Sequence, residues 1–162
     1  MIVVSDTSPI LNLARVRRLD ILPSLYGQVL IPSAVFNELA RAKNVVSREI
    51  ELALNSWLTV GTVKNQELVL QLCRNIDAGE SEAIVLALER QASLLLVDEK
   101  LGREAAKRLG LHVTGLLGVL LEAKRARLIE CVKPVLDELI SEARFWVTPE
   151  LYREVLTTVG EV

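Results

Sequence analysis

The chain has 162 residues, the length of one ordinary domain that can bury a sizeable core. Hydrophobic residues make up 51% of it and aromatic residues only 4%, so the core must be aliphatic. The net charge of −2 excludes a broadly basic surface, and any bound nucleic acid must be held by local basic patches. No apolar run is long enough to span a membrane, and Asp6 and Pro9 interrupt any signal-peptide pattern. We therefore expect a cytoplasmic protein with no membrane partner.

Short apolar runs alternate with amphipathic stretches, a pattern typical of a parallel sheet with crossover helices. We predict strands near residues 2–6, 28–31, 57–63, 93–98 and 111–114. We predict helices near residues 9–18, 19–26, 33–42, 46–55, 65–75, 78–91, 99–109, 115–126, 133–144 and 149–158. Ser8-Pro9 and Thr148-Pro149 each place a capping hydroxyl before a proline and indicate helix starts. The fold class is α/β with a central, mostly parallel sheet of about five strands.

Two carboxylates follow buried strands directly. Asp6 ends the run from Ile2, and Asp98 ends the run from Leu94. In open α/β sheets ligands bind at the carboxyl ends of the strands, so both acids fall where a site is expected. Ser8 is the better N-cap for the first helix, which leaves Asp6 free for another role. Asp98 is open to two interpretations, a ligand or the N-cap of a helix that begins at Glu99. Glu99 is itself a secondary candidate ligand, because an acid is also expected in the first turn of a helix.

Two further acids lie on predicted helices. Glu82 is surrounded by apolar residues, and a buried carboxylate needs a partner or an ion. Glu80 is explained as half of a capping box with Asp77, so it is the second choice as a ligand. Glu38 lies at the margin of an apolar helix face, where a solvated glutamate is equally expected. Glu38 is a candidate ligand only because the other three acids are present in the same sequence.

Oxygen donors gathered without cationic partners repel one another, which favours a site for a hard cation, Mg²⁺ or Mn²⁺. The candidate ligands and catalytic residues are Asp6, Glu38, Glu82 and Asp98, with Ser8, Glu80 and Glu99 in supporting positions. His112 is the only histidine, so neither a zinc site nor a Ser-His-Asp site can be assembled with it.

The combination of these segments resembles the PIN-domain family. The segments are Val4–Ile10, Ile31–Glu38, Gly79–Ile84 and Leu95–Asp98, in that order. Val113–Leu120 resembles one uncharacterised PIN-like branch, often treated as a domain of unknown function. The resemblance implies a three-layer α/β/α sandwich over residues 1–145, and residues 146–162 are expected to be a C-terminal helical extension of the same domain.

The resemblance also implies a function: a Mg²⁺- or Mn²⁺-dependent ribonuclease, often the VapC-like toxin of a toxin–antitoxin pair. In the family the four acids correspond to Asp6, Glu38, Glu82 and Asp98, and Ser8 helps to hold the site. The third acid is often aspartate in the wider family, so either Glu82 or the nearby Glu80 could be the ligand here.

Partners follow from the same interpretation. RNA is the expected substrate, with possible backbone contacts from Arg15, Arg17, Lys100, Arg103 and Lys107. The aliphatic excess and the apolar helices near 115–126 and 133–144 suggest a homodimer or an antitoxin-binding groove. The alternative is a catalytically weak or inactive PIN-like binding module that acts through dimerisation or a protein partner.

Overall fold

The computed structural model describes residues 1–42 and 45–162, and the side chains of residues 45–47 are not described. Within these residues the chain forms one parallel sheet with the strand order β3-β2-β1-β4-β5. The strands are β1 (Val3–Ser5), β2 (Val29–Pro32), β3 (Leu58–Gly61), β4 (Leu94–Leu96) and β5 (Val113–Thr114). The predicted strands are therefore confirmed, and the sheet is parallel at every pairing.

The helices also occur where the sequence predicts them, apart from small differences at their ends. They are α1 (Thr7–Arg15), α2 (Ile21–Tyr26), α3 (Ser33–Arg41), α4 (Val45–Leu54), α5 (Gln66–Leu72), α6 (Ala78–Glu89), α7 (Lys100–Arg108), α8 (Leu116–Arg125), α9 (Val132–Ser141) and α10 (Pro149–Thr158). None of the helices in the described residues has both the length and the apolar character needed to cross a bilayer.

Alternate residues of the central strand enter two separate cores. Val3 packs with residues of α1, α8 and α9, whereas Val4 packs with α6 and α7. Successive side chains of a strand point to opposite faces, so helices on both faces bury an apolar surface against the sheet. The expected three-layer α/β/α sandwich is confirmed.

The first helix begins earlier than predicted. Thr7 is already helical, so Asp6 occupies the N-cap position and Ser8 lies in the first turn. The prediction that Ser8 caps this helix is therefore wrong. Pro9 is tolerated within the first turn because its missing N–H has no intrahelical partner there. The Asp6 side chain makes no capping hydrogen bond, so it is still available at the sheet edge.

The C-terminal residues are fastened to α8 and α9 by a group that we call the C-terminal clamp. Glu161 accepts hydrogen bonds from Lys124 Nζ at 2.8 Å, from the Val132 N–H at 2.7 Å and from the Lys133 N–H at 2.9 Å. Val132 and Lys133 begin α9, so Glu161 caps this helix from a distant part of the chain. Within the described residues, α10 contributes Val155 to the main core. The division into a domain of residues 1–145 and a helical extension of residues 146–162 remains a prediction.

The apolar faces of α8 and α9 are used inside the chain. Leu116, Val119 and Leu120 of α8, like Leu136 and Leu139 of α9, are fully buried in the core. These helices therefore do not supply the open apolar surface from which we inferred a homodimer or an antitoxin groove. Most aliphatic residues fill the core of the monomer, the exposed ones include Leu52, Leu70 and Leu101 on other helices, and the homodimer remains a prediction.

Candidate active site

The ends of two neighbouring strands bring Asp6 and Asp98 to one edge of the sheet. Ser5 of β1 is paired with Leu96 of β4, and the Asp6 N–H donates to Leu96 O at 2.9 Å. The parallel register brings the two acids to the same edge, because Asp6 follows β1 directly and Asp98 comes two residues after the end of β4. Asp6 is only 4% exposed, although it carries an ionisable group.

Glu38 reaches the same edge from α3. Thr7 Oγ1 donates to Glu38 Oε2 at 2.5 Å, which ties α1 to α3 directly beside Asp6. Gly79, at the start of α6, lies against both acids: a Cβ at this position would be 2.6 Å from Glu38 Oε1 and 3.2 Å from Asp6 Oδ1. Only glycine lets the α6 backbone come this close.

Asp98 caps a helix, but not the helix that the sequence suggested. Its Oδ1 accepts from the Leu116 N–H at 2.7 Å and so caps α8, whereas Glu99 occupies the N-cap position of α7. Gly115 leaves room for this contact, since a Cβ there would lie 2.8 Å from Asp98 Oδ1. The other oxygen, Oδ2, is buried and has no hydrogen-bond partner among the described residues. One oxygen of Asp98 is thus structural and the other is free to bind a ligand.

Glu80 and Glu82 exchange the environments that we predicted for them. Glu80 is the buried one, 4% exposed, and packs against Gly102 of α7. Glu82 is half-buried and accepts from the Ala34 N–H at 3.1 Å, so it caps α3. Asp77 caps α6 as predicted, accepting from the Glu80 N–H at 2.8 Å. Helix capping explains Glu82, and it leaves the carboxylate of Glu80 for another role.

The electrostatics of this region are unfavourable for charged acids. Burial raises the pKa of Asp6 to about 7, and the charges of Asp77, Glu38 and Asp98 add to the increase, although the Thr7 N–H opposes it. Burial, followed by a hydrogen bond with Asp77, raises the pKa of Glu80 to about 8. We call Asp6, Glu38, Glu80 and Asp98 the acidic edge. Asp77 belongs to the same electrostatic neighbourhood, and the sequence identified it only as a cap.

The acidic edge is not entirely without a cation. Burial raises the pKa of Asp98, and the hydrogen bond from the Leu116 N–H and the charge of Arg103 offset part of this increase. Arg103 lies on α7, close to Gly115, so its charge faces the Asp98 side of the cluster. The expectation of carboxylates with no cationic neighbour is therefore wrong for Asp98.

The donor set suits a hard cation, although no ready-made site is present. All the available ligands are carboxylate oxygens, and the buried Oδ2 of Asp98 lacks a partner, as expected of a ligand atom. Among the described residues, however, no three His, Cys, Asp or Glu side chains are grouped closely enough to hold a metal as they stand. Binding of a divalent cation therefore requires the side chains of the acidic edge to turn towards it.

The predicted basic contacts divide into two groups. Lys100 and Arg103 lie beside Asp98, where α7 begins. Arg15 is the last residue of α1, Arg17 follows it by two residues, and Lys107 is in the last turn of α7. A helix that starts at the carboxyl end of a strand runs back along the sheet, and nine residues carry it about 12 Å. These three residues therefore lie away from the acidic edge, and their contacts with an RNA backbone remain a prediction.

Comparison with known proteins identifies the family. A family model described as DUF3368, a PIN domain, matches residues 2–161. A solved structure of a PilT N-terminus domain protein from the hyperthermophilic archaeon Sulfolobus solfataricus P2 superposes with a TM-score of 0.54 at 22% identity, covering 76% of this chain and 93% of that chain. That likeness supports the fold alone. A search of curated proteins found no match. Since the family model covers nearly the whole chain, the protein belongs to the DUF3368 family of PIN domains.

Proposed function

We propose that this protein is a Mg²⁺- or Mn²⁺-dependent ribonuclease that hydrolyses phosphodiester bonds of RNA at the acidic edge. PIN domains are generally nucleases, and this membership supports the reaction class. The observation that carries the proposal is the gathering of buried and half-buried carboxylates at the carboxyl ends of β1 and β4, where a ligand site of an α/β sheet is expected.

The stability cost of this arrangement supports a functional role. Burial, together with the neighbouring acids, raises the pKa of Asp6 to about 7, so the charged form of this side chain is unfavourable in the fold. Structural carboxylates in the same chain are satisfied by hydrogen bonds, as Glu161 is. A bound divalent cation would remove the repulsion, so the acids are better explained as ligands than as structural residues.

The residues divide the proposed reaction between them. Asp6 and the free oxygen of Asp98 would hold the cation, and Glu38 with either Glu80 or Glu82 would complete its shell or orient the attacking water. A divalent cation in such a site activates water and neutralises charge on the scissile phosphate. Arg103 and Lys100 would hold the RNA backbone on the Asp98 side, because phosphate contacts position the strand.

The experiment compares Asp6→Asn with Asp20→Asn, an exposed aspartate on the other side of the chain. Purified proteins are incubated with single-stranded RNA in Mn²⁺, in Mg²⁺ and in EDTA, and the products are resolved on a gel. We expect metal-dependent cleavage by the wild type and by Asp20→Asn, and none above the EDTA background by Asp6→Asn. Equal cleavage by all three proteins would refute the role of Asp6.

A second candidate is a PIN-like binding module without activity. The observation in its favour is that the described acids do not form a metal site without rearrangement. Failure of the wild type to cleave RNA in either metal would favour this candidate. The finer proposals are a cytoplasmic toxin with an antitoxin partner, and a homodimer. Light scattering of the intact protein tests the homodimer, and co-purification of the intact protein with its partner tests the antitoxin.

A further inference from the structure

A cavity of about 610 Å³ opens beside the acidic edge. Asp98 and Ser8 line one side of it, and residues 143–148, between α9 and α10, line the other. Its volume is within the range of about 300–1,000 Å³ found for small-ligand pockets. Since Asp98 is common to the cavity and to the acidic edge, a molecule in the cavity would reach the proposed reaction centre directly.

The cavity carries an unusual aromatic side chain. Trp146 is 81% exposed, although the chain has only two tryptophans and the other, Trp57, packs against the core. Burial of a tryptophan is strongly favourable, so an exposed indole at a cavity indicates a surface that contacts a partner. Neither core packing nor helix capping explains this residue.

The segment that carries Trp146 is fixed at both ends. The Phe145 N–H donates to Leu139 O at 2.9 Å, and the Phe145 ring packs against the core. On the other side, Thr148 Oγ1 accepts from the Leu151 N–H at 3.1 Å and caps α10. Anchors immediately before and two residues after Trp146 hold its backbone beside the cavity, so little backbone conformational entropy is lost when a ligand binds.

Basic side chains surround the same cavity. Lys100, Arg103 and Arg144 line it, against two acids, Asp98 and Glu99. One oxygen of Asp98 is occupied by the Leu116 N–H. An aromatic face bordered by cations is the combination that proteins use for single-stranded nucleic acid, in which bases stack and phosphates are neutralised.

We propose that Trp146 is a stacking platform for an unpaired base of single-stranded RNA, with the neighbouring phosphates held by Arg103 and Arg144. The direction of the strand towards the acidic edge rests on the proposed function, whereas the binding itself does not. A base in a duplex has no free face to offer an indole, so the site selects unpaired RNA.

The first test uses Trp146 as its own reporter. The variant Trp57→Phe retains Trp146 as the sole tryptophan, so the fluorescence of the protein reports on the cavity. An oligouridylate titrated in EDTA, where cleavage is blocked, should quench this fluorescence and saturate. An abasic strand of the same length, or a duplex, should quench it little. Equal quenching by the abasic strand would overturn the proposal, because binding would then depend on charge alone.

The second test compares affinities by fluorescence anisotropy of a labelled oligouridylate in EDTA. Trp146→Ala should weaken binding about 5- to 150-fold, the range that the loss of one stacked base gives. Trp146→Phe should retain most of the affinity, because a phenyl ring still stacks. Leu70→Ala is the matched control, since Leu70 is 70% exposed on α5, away from the cavity. Unchanged RNA binding by Trp146→Ala would overturn the proposal. The proposal would also be overturned if Trp146→Ala lost binding to a protein partner but kept its affinity for RNA.

These tests separate the proposal from the proposed function. If Trp146→Ala loses affinity while the wild type never cleaves RNA, the stacking site stands and the nuclease assignment fails. If Asp6→Asn abolishes cleavage but Trp146→Ala binds and cleaves like the wild type, the nuclease assignment stands and the stacking site is refuted.

Discussion

The C-terminal clamp and the acidic edge hold their carboxylates in opposite ways. In the C-terminal clamp, burial alone would raise the pKa of Glu161, but hydrogen bonds from Lys124 and from the Lys133 and Val132 N–H groups lower it below its ordinary value. At the acidic edge, burial raises the pKa of Asp6 to about 7, and neighbouring acids add to the increase, against a single opposing hydrogen bond from the Thr7 N–H. The clamp satisfies the charge of Glu161, whereas at the edge Arg103 compensates Asp98 in part and the charge of Asp6 is opposed only by the Thr7 N–H.

The difference separates acids that hold the fold together from acids that act on something else. Glu161 and Glu82 cap helices from distant parts of the chain, which is a sufficient structural reason for each. Asp98 is intermediate, with one oxygen on α8 and one free. Asp6 and Glu80 have no comparable structural role and remain costly to ionise. The following predictions test this division.

The largest expected effect on stability is at Asp6. Because its pKa is raised from 3.8 to about 7, the folded state retains a proton that the unfolded chain has lost. In EDTA the wild type should therefore lose stability as pH rises from about 4 to about 7, by up to about 4 kcal/mol, since each pKa unit corresponds to about 1.4 kcal/mol. Asp6→Asn should lose less stability over this range than the wild type, because only the other acids with raised pKa values, chiefly Glu80, still contribute. Urea unfolding at several pH values measures it, with Asp20→Asn as control, and identical pH profiles would contradict it.

The clamp should respond in the opposite direction. Glu161→Ala removes the acceptor for two backbone N–H groups and Lys124, and should cost about 2 kcal/mol at neutral pH. The pKa of Glu161 is lower in the folded protein than in the unfolded chain. The stability that Glu161 contributes is therefore complete at pH values above its ordinary pKa, and it is lost as the pH falls through the lowered pKa. Thermal unfolding at pH 7 and at acid pH measures both effects. Glu154→Ala, an exposed acid on α10, should change little, and a loss of equal size there would show that the clamp is not special.

The smallest expected effect is the weakened helix cap of Glu82→Gln, and it distinguishes Glu82 from Glu80. Glu82→Gln should destabilise the protein by about 1 kcal/mol in EDTA and in Mn²⁺ alike, because it weakens the cap on α3. Glu80→Gln should be no less stable than the wild type in EDTA at pH 8 or above, yet should gain less stability when Mn²⁺ is added. Melting curves in EDTA and Mn²⁺ decide between them. A reduced Mn²⁺ response in Glu82→Gln alone would make Glu82 the ligand instead.

The sequence was sufficient for the fold because its apolar patterns are local. The five strands were predicted from short apolar runs, and their ends located Asp6 and Asp98 without further information. The distance of the C-terminal ends of α1 and α7 from the sheet edge could also have been predicted. Counting the rise along each helix from its strand would have removed Arg15, Arg17 and Lys107 from the site.

Other features depend on contacts between elements far apart in the sequence. Glu80 is buried because Gly102 of α7 packs over it, and Glu82 meets Ala34 because α3 packs on α6. No periodicity within α6 distinguishes the two glutamates. Trp146 belongs to a short connection whose position depends on the ends of α9 and α10, so its place beside Asp98 was not predictable from local pattern.

The position of β1 in the middle of the sheet has a consequence for folding. Val4 pairs with Leu30 on one side and with Leu95 on the other, so the second pairing closes a much longer loop. Long-range parallel pairings form slowly, because the loop-closure entropy is lost before the contacts compensate for it. During synthesis, β1 and β2 can meet early, but Asp6 receives Asp98 as its neighbour only after β4 has left the ribosome. The nascent chain therefore cannot assemble the acidic edge until well over half of it has been made.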